Sequence, residues 1–249
     1  MTSEPAVRSV VEEVTDQIAF DIASGVYAPG ARLPSVRALA TRHGINPSTV
    51  QVVVERLRAA GFVEASRGLG LSVRDIDQYG GIETWRYLFR FAVRLPDRAT
   101  ALLEDFLRTR RGLVLEVARA IEADPAEFDL RPLRRSVDAL QLLAERDGAI
   151  EVFARAELQT ARVLLRAVDR PVLLALYNSI ADILLSVPVA LQVMYVDPRF
   201  NVAMWRGLID AWERGEVGPV GIDEAEAMLA AFHVTCVARF RALLTSTAT

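Results

Sequence analysis

The chain has 249 residues, 52% apolar, 24% charged and 7% aromatic, a packed globular composition that excludes a disordered tail or a fibre. All 29 of its Lys-plus-Arg positions are arginine, so a Schiff-base lysine and a P-loop lysine are both excluded, and with them pyridoxal-phosphate enzymes and Walker-type nucleotidases. A net charge of -3 argues against general coating of nucleic acid, and the single Cys236 leaves neither an internal disulfide nor a thiolate metal cluster.

The opening MTSEPAVRSVVEEV lacks a basic region followed by an apolar one, so no secretory signal is expected, and the single Cys236 points to a cytoplasmic location. The greasiest stretch, Val172 to Val196, is interrupted by Asn178, Asp182, Pro188 and Gln192. No run approaches roughly 18 uncharged apolar residues, so no membrane span is expected.

Val7, Val10, Val11, Val14, Ile18 and Ile22 recur at helical spacing opposite Glu12, Glu13 and Asp16, and Gly25 ends that first helix. A short second helix begins after Pro34 with Ser35 as its cap and runs to His43, where Gly44 breaks it. Asn46 caps a third helix with Pro47 at its first position, where the missing N–H costs nothing. Val50, Val53, Val54 and Leu57 face inward, and the helix stops at Gly61. Phe62 to Ala65, a turn at Arg67-Gly68-Leu69-Gly70 and Leu71 to Val73 read as a hairpin. Three helices with a tight glycine turn between the second and third, then a two-stranded wing, make a winged helix-turn-helix over residues 1–74.

From residue 75 to 82 the composition shifts to Asp, Gln, Tyr and paired Gly, a linker. Residues 83–249 carry helical periodicity almost throughout, over Thr84–Arg94, Ala99–Ala123, Leu133–Glu145, Ala149–Val168, Val172–Leu185, Phe200–Glu213 and Glu224–Leu244. Stops separate them at Pro96, Asp124-Pro125, Asp147-Gly148, Asp169-Arg170-Pro171 and Gly215 to Gly221. Val187 to Val196 is β-branched enough for a strand and is read as helix. The fold class is therefore mostly α, a winged helix-turn-helix followed by an all-helical bundle domain over residues 83–249.

Charge is unevenly spread. Between Tyr27 and Arg74 stand Arg32, Arg37, Arg42, Arg56, Arg58, Arg67 and Arg74 against Glu55 and Glu64; seven minus two leaves a local excess of five positive charges. A small basic face on a neutral domain suits a specific reader of double-stranded DNA. Asn46, Ser48, Thr49 and Gln51 occupy the first turns of the third helix, the part that enters a major groove. Arg37 and Ser35 stand at the start of the second helix, Gln51 suits adenine and Arg37 guanine. Arg67 and Gly68 place a charge and a close-approaching backbone at the wing tip. Taken singly, Asn46 and Ser48 also read as helix caps and the arginines as solvated charges.

The string PGARLPSVRALATRHGINPSTVQVVVERLRAAGFVEASRGLG resembles the winged-helix domain of the GntR family of bacterial regulators. Its matching features are Pro29-Gly30, Leu33-Pro34-Ser35, Arg37, Leu39-Ala40, Thr49-Val50 and the exit from Leu57 to Gly61. Many members of the FadR branch carry arginine where Pro47 and Gln51 stand here, so an operator is not carried over from them. The size and helicity of the remainder nevertheless resemble the FadR branch. Arg110 in Leu107-Arg108-Thr109-Arg110 and the run Ala161-Arg162-Val163-Leu164-Leu165 before Pro171 are similar to helices of such domains.

The resemblance implies an effector site at Arg110, Glu157, Arg162, Trp205 and His233. Many branch members hold a metal there with one Asp and three His. Here His233 is the single imidazole and Arg162 brings a cation, so neither metal nor other cofactor is expected. Loss of the metal resembles the acyl-CoA-sensing members. The apolar residues of 172–194 then line a greasy pocket, with Arg110, Arg162 and Arg166 at the ligand head, although a helical bundle also needs such residues for its core. The expectation is a ligand-responsive regulator, a repressor, acting as a homodimer on a roughly palindromic operator and sensing an acyl-CoA or fatty-acid-type effector. The alternative effector is a small carboxylate or sugar acid, with or without metal. No nucleophile–base pair, carboxylate pair or glycine-rich phosphate loop supports an enzyme.

Overall fold

The computed structural model describes residues 9–66, 70–123, 128–146, 148–214 and 219–247. Expectations placed on Val7, Arg67, Gly68, Leu69, Asp124-Pro125, Asp147 and Gly215 lie outside the described residues. The chain divides into two compact units, residues 1–95 and 96–249.

In the first unit, α1 spans Val10–Ala23. Ser9 starts it with a reciprocal capping box: its hydroxyl accepts from the Glu12 N–H at 3.3 Å, and the Glu12 carboxylate accepts from the Ser9 N–H at 3.1 Å. That backbone contact, aided by the Arg56 charge, holds the Glu12 carboxyl below its ordinary pKa. Val14, Ile18, Ala19 and Ile22 are buried against α3, Pro47–Ala59, which returns Val50, Val53, Val54 and Leu57. Between them α2 spans Val36–His43 and ends on Gly44 at φ 63°, ψ 33°, the left-handed conformation that allows the chain to turn straight into α3.

The wing is β1, Val63–Ser66, antiparallel to β2, Gly70–Val73, in the register Val63 to Val73 and Ala65 to Leu71. The chain entering α2 joins its edge, with Leu33 N–H donating to Leu71 C=O at 2.9 Å and Val73 N–H to Ala31 C=O at 2.9 Å.

Residues 75–82, read from the sequence as a linker, hold the single turn α4, Ile76–Tyr79, capped by Asp75. The helix α5, Ile82–Arg90, follows. The buried Thr84 hydroxyl donates to the Ala60 carbonyl at 2.6 Å and accepts from Gly81 N–H at 3.1 Å, which ties α5 to the end of α3. Arg90 pairs with Asp16 at 3.0 Å, and Arg94 lies 3.2 Å above the Phe20 ring. The division between units accordingly falls at Leu95/Pro96.

The second unit is helical throughout its described residues: α6 Pro96–Ala123, α7 Arg131–Ala144, α8 Ile150–Ala167, α9 Pro171–Leu185, α10 Pro188–Met194, α11 Pro198–Arg214 and α12 Pro219–Thr247. Pro96 and Pro171, read as stops, instead open α6 and α9, because proline is as well suited to a helix start as to an interruption. Val187 to Val196 is helical as α10, set off from α9 by a bend of 100°.

The core of this unit comes from α6 packing on α12, α7 on α8 and α11, and α8 on α9. Leu103, Leu107, Leu140, Leu158, Phe240 and Leu244 are buried in it. Surface ion pairs from Arg134 to Glu213 and from Arg206 to Asp138 link α7 to α11. The expectation of no membrane span rests on uncharged runs, and a criterion that admits up to two charges singles out one helix. Among the described residues Ile222–Ser246 of α12 passes by length and composition. Glu224 and Glu226 at one end and Arg239 and Arg241 at the other bracket the uncharged stretch 227–238, which is too short to span a bilayer. Its Cys236 and Phe240 are fully buried.

Candidate nucleic-acid interface and effector cavity

The basic cluster of the first unit resolves into two groups. Arg56 lies 4.0 Å from Glu12, Arg58 lies 3.0 Å from Glu55 and Arg74 lies 3.8 Å from Glu64, so each has a local counter-charge. Arg32 and Arg37 are exposed with no ionic partner among the described residues. Arg42 donates to the Tyr27 hydroxyl at 2.5 Å, a neutral group, and keeps its full charge. The uncompensated cations therefore belong to α2 and the segment entering it.

Ser35 is the N-cap of α2, its hydroxyl accepting from Ala38 N–H at 3.2 Å. This hydroxyl is committed to the backbone. Asn46 occupies the N-cap position of α3, but its side chain makes no capping bond, contrary to the capping role read from the sequence. Its exposed amide, with exposed Ser48 and Gln51 and half-buried Thr49, is left at the start of α3, where the free N–H groups and positive dipole end lie. Arg37 and this helix start are separated by the rest of α2 and the turn at Gly44. The arrangement offers cations for phosphate and amides for base edges.

In the second unit a cavity of about 710 Å³ lies among α6, α8, α11 and α12. Its floor is built from buried residues: Arg110, Glu157, Asn201, Trp205 and His233. Its rim carries half-exposed Phe200 and Met228 with exposed Gly207, Arg214 and Glu224.

Arg110 Nη2 donates to Glu157 Oε2 at 3.0 Å. The same oxygen accepts from the Tyr195 hydroxyl at 2.7 Å, and Oε1 accepts from Trp205 Nε1 at 3.3 Å. Three donors thus hold the carboxylate, two on Oε2 and one on Oε1. Burial lowers the Arg110 pKa, but the attraction of Glu157 outweighs it and the guanidinium stays charged. Burial and the Glu157 charge push the Tyr195 hydroxyl well up, so it remains a donor. Burial, with the charges of Arg110 and Arg111, lowers His233 to about 3, leaving it neutral at ordinary pH.

Of the five residues expected at the effector site, Arg110, Glu157, Trp205 and His233 line this cavity. Arg162 does not: its Nε donates to Asn178 Oδ1 at 2.7 Å and its Nη2 lies 4.0 Å from Asp182. Arg166 is exposed elsewhere on α8. The lining also departs from the apolar run 172–194, of which Val172 and Leu176 are largely exposed; α6, α11 and α12 supply the walls instead. Asn201 and Tyr195 went unnoticed in the sequence. The one signal for Asn201 is its position one helical turn before Trp205.

Residues 10–73 match the family described as bacterial regulatory proteins, gntR family. Over 140 residues the chain is 42% identical to the HTH-type transcriptional regulator Mce2R of Mycobacterium tuberculosis, covering 55% of this chain and 58% of that one. An uncharacterized HTH-type transcriptional regulator of Mycobacterium bovis matches with the same figures, so the chain spans 58% of the length of both relatives. Identity to the fatty acid metabolism regulator protein of Pasteurella multocida is 24% over 156 residues, or 62% of this chain and 60% of that one. The solved structure of Lar, described as controlling the expression of the Listeria monocytogenes agr system, superposes with a TM-score of 0.50 at 13% identity. It covers 95% of this chain and 98% of that one, a likeness of fold. The part of this chain that is similar to the gntR family is thus the winged helix-turn-helix of α1 to α3 and the wing.

Proposed function

We propose that this chain is a ligand-responsive, DNA-binding transcriptional regulator, a repressor, and not an enzyme. The observation that carries the reading is the uncompensated cation set Arg32, Arg37 and Arg42 beside the exposed start of α3 with Asn46, Ser48 and Gln51. In this reading α3 enters the major groove, Arg37 meets a phosphate or guanine, Thr49 supports the helix start, and Arg67 and Gly68 at the wing tip meet the backbone. Residues 83–249 bind the effector and form a homodimer, so that two readers engage a near-palindromic operator in the cytoplasm, without a membrane partner.

The effector in this reading is an acyl-CoA or fatty-acid-type molecule in the cavity floored by Arg110 and Glu157. The largely apolar lining, with Phe200, Met204, Trp205, Leu229 and Phe232, supports it, as does the name of the Pasteurella relative. A small carboxylate clamped by Arg110 and Arg162 is the weaker reading, because Glu157 already neutralises Arg110 and Arg162 is not part of the lining. Ligand binding shifts the dimer away from the geometry that fits two half-sites, a coupling of about 1–3 kcal/mol.

The test is selection of duplexes from a random-sequence library with the full chain, followed by binding measured at fixed salt with and without decanoyl-CoA. An enriched two-fold-symmetric sequence, bound about 5–150 times more weakly with ligand, is the expected result. No enrichment over random duplex would sink the regulator reading.

A further inference from the structure

The cavity floor holds more hydrogen-bonding capacity than the protein itself uses. Asn201 Oδ1 and both ring nitrogens of His233 are buried and without a partner among the described residues, and both residues line the cavity, whereas Arg110 also meets the buried Tyr177 hydroxyl behind it. Both residues are more than nine-tenths buried, at 5% exposure each. Buried polar atoms left unpaired are costly, so such a group in a cavity wall is explained by a ligand that completes it.

The kind of atom each lacks can be named. Asn201 Oδ1 needs a hydrogen; the neutral His233 ring offers one and needs one. The charges, in contrast, are already balanced, because Arg110 and Glu157 face each other at 3.0 Å.

We infer that the ligand seats on this floor an uncharged head that both donates and accepts hydrogen bonds, as a lipid alcohol or amide does, and that a free carboxylate is excluded from it. The inference rests on the effector-binding reading of this cavity. A carboxylate at the floor brings a second negative charge beside Glu157, loses its hydration, and supplies no hydrogen to Asn201 Oδ1 or to the accepting nitrogen of His233. A carboxylate kept at the rim near Arg111 or Arg214 turns its methyl end to the floor and leaves all those atoms unpaired. Arg111 moreover has Glu226 at 4.0 Å. Of the two ligand types named above, an acyl thioester followed by amides satisfies the floor and a free fatty acid does not.

The test is calorimetric titration of the full chain at pH 8 with 1-decanol, decanamide and decanoate, which share one chain and differ in the head. 1-Decanol and decanamide are expected to bind at least tenfold more tightly than decanoate. A variant that adds bulk to the cavity lining, Gly207→Trp, is expected to abolish all binding, since Gly207 lines the cavity and a Cβ there meets nothing within 4 Å. Decanoate binding as tightly as the alcohol, and lost in Gly207→Trp, overturns the uncharged-head inference while leaving the cavity as the effector site. Absence of binding by every probe, or binding unaffected by Gly207→Trp, overturns the effector reading itself and this inference with it. In Glu157→Gln the Arg110 charge is no longer balanced, and the order is expected to reverse in favour of decanoate. Should that protein fail to fold, Asn201→Val replaces it, and an unchanged preference for the alcohol there overturns the inference.

Discussion

The two units use arginine in opposite ways. Arg37 stands exposed on α2 with no counter-charge among the described residues, whereas Arg110 is buried in α6 and meets Glu157, which Tyr195 and Trp205 also hold. An exposed unpaired cation contributes little to folding and remains available to a polyanion. A buried one contributes to folding only while its partner is present, because the remaining charge is otherwise stranded away from water. Removing the same residue type should therefore be read out as binding in one unit and as stability in the other.

The largest effect is expected at the buried pair. Glu157→Ala or Arg110→Ala should destabilise the chain by about 3–5 kcal/mol, seen as a lowered melting temperature. Replacing both together, as Arg110→Met with Glu157→Leu, should restore much of that loss. If either single substitution melts like the parent, the pair is solvated and the contrast fails.

Acid should expose the same floor. His233, lowered to about 3 by burial and by Arg110 and Arg111, stays neutral while folded, whereas an unfolded histidine titrates near 6.5. Between those values the unfolded chain binds the additional proton, so stability contributed by neutral His233 is present above about pH 6.5 and lost as pH falls towards 3. Its slope is about 1.4 kcal/mol per pH unit. Denaturation of the parent and of His233→Leu at pH 7, 6 and 5 should show a flatter profile in the variant, and parallel profiles would mean that the ring is solvated.

For Arg37 the readout moves to DNA. Arg37→Ala should weaken binding to a selected duplex by about 1–3 kcal/mol if it reads a base, or reduce the salt dependence by about one ion if it contacts phosphate. Its melting temperature should be unchanged. A drop in melting temperature comparable to that at Arg110 would erase the distinction between the units.

What was legible in the sequence divides along the same line. Gly44, Pro47 and Ser35 act on their own turns, and a turn's chemistry is written within four residues, so α2, α3 and the wing could be read directly. The cavity assembles Arg110, Glu157, Asn201 and His233 from four helices far apart in the chain, and nothing local to Asn201 announces its unpaired oxygen. Apolar content was a poor guide as well: Val172 and Leu176 lie in the greasiest run yet are largely exposed, because composition does not say which face of a helix meets its neighbours.

Ser35 sits where the two kinds of reasoning meet, and the smallest expected effect separates them. Its hydroxyl caps α2 through Ala38 N–H, so Ser35→Ala should cost about 1 kcal/mol of stability whether or not DNA is involved. Ser35→Asp keeps an oxygen for the cap and should retain the parent's melting temperature, but it sets a negative charge two residues from Arg37. If this end of α2 lies against phosphate, Ser35→Asp loses DNA affinity while keeping its stability, and Ser35→Ala does the reverse. Equal DNA affinity in parent and Ser35→Asp would make Ser35 a cap alone and move the interface towards α3 and the wing.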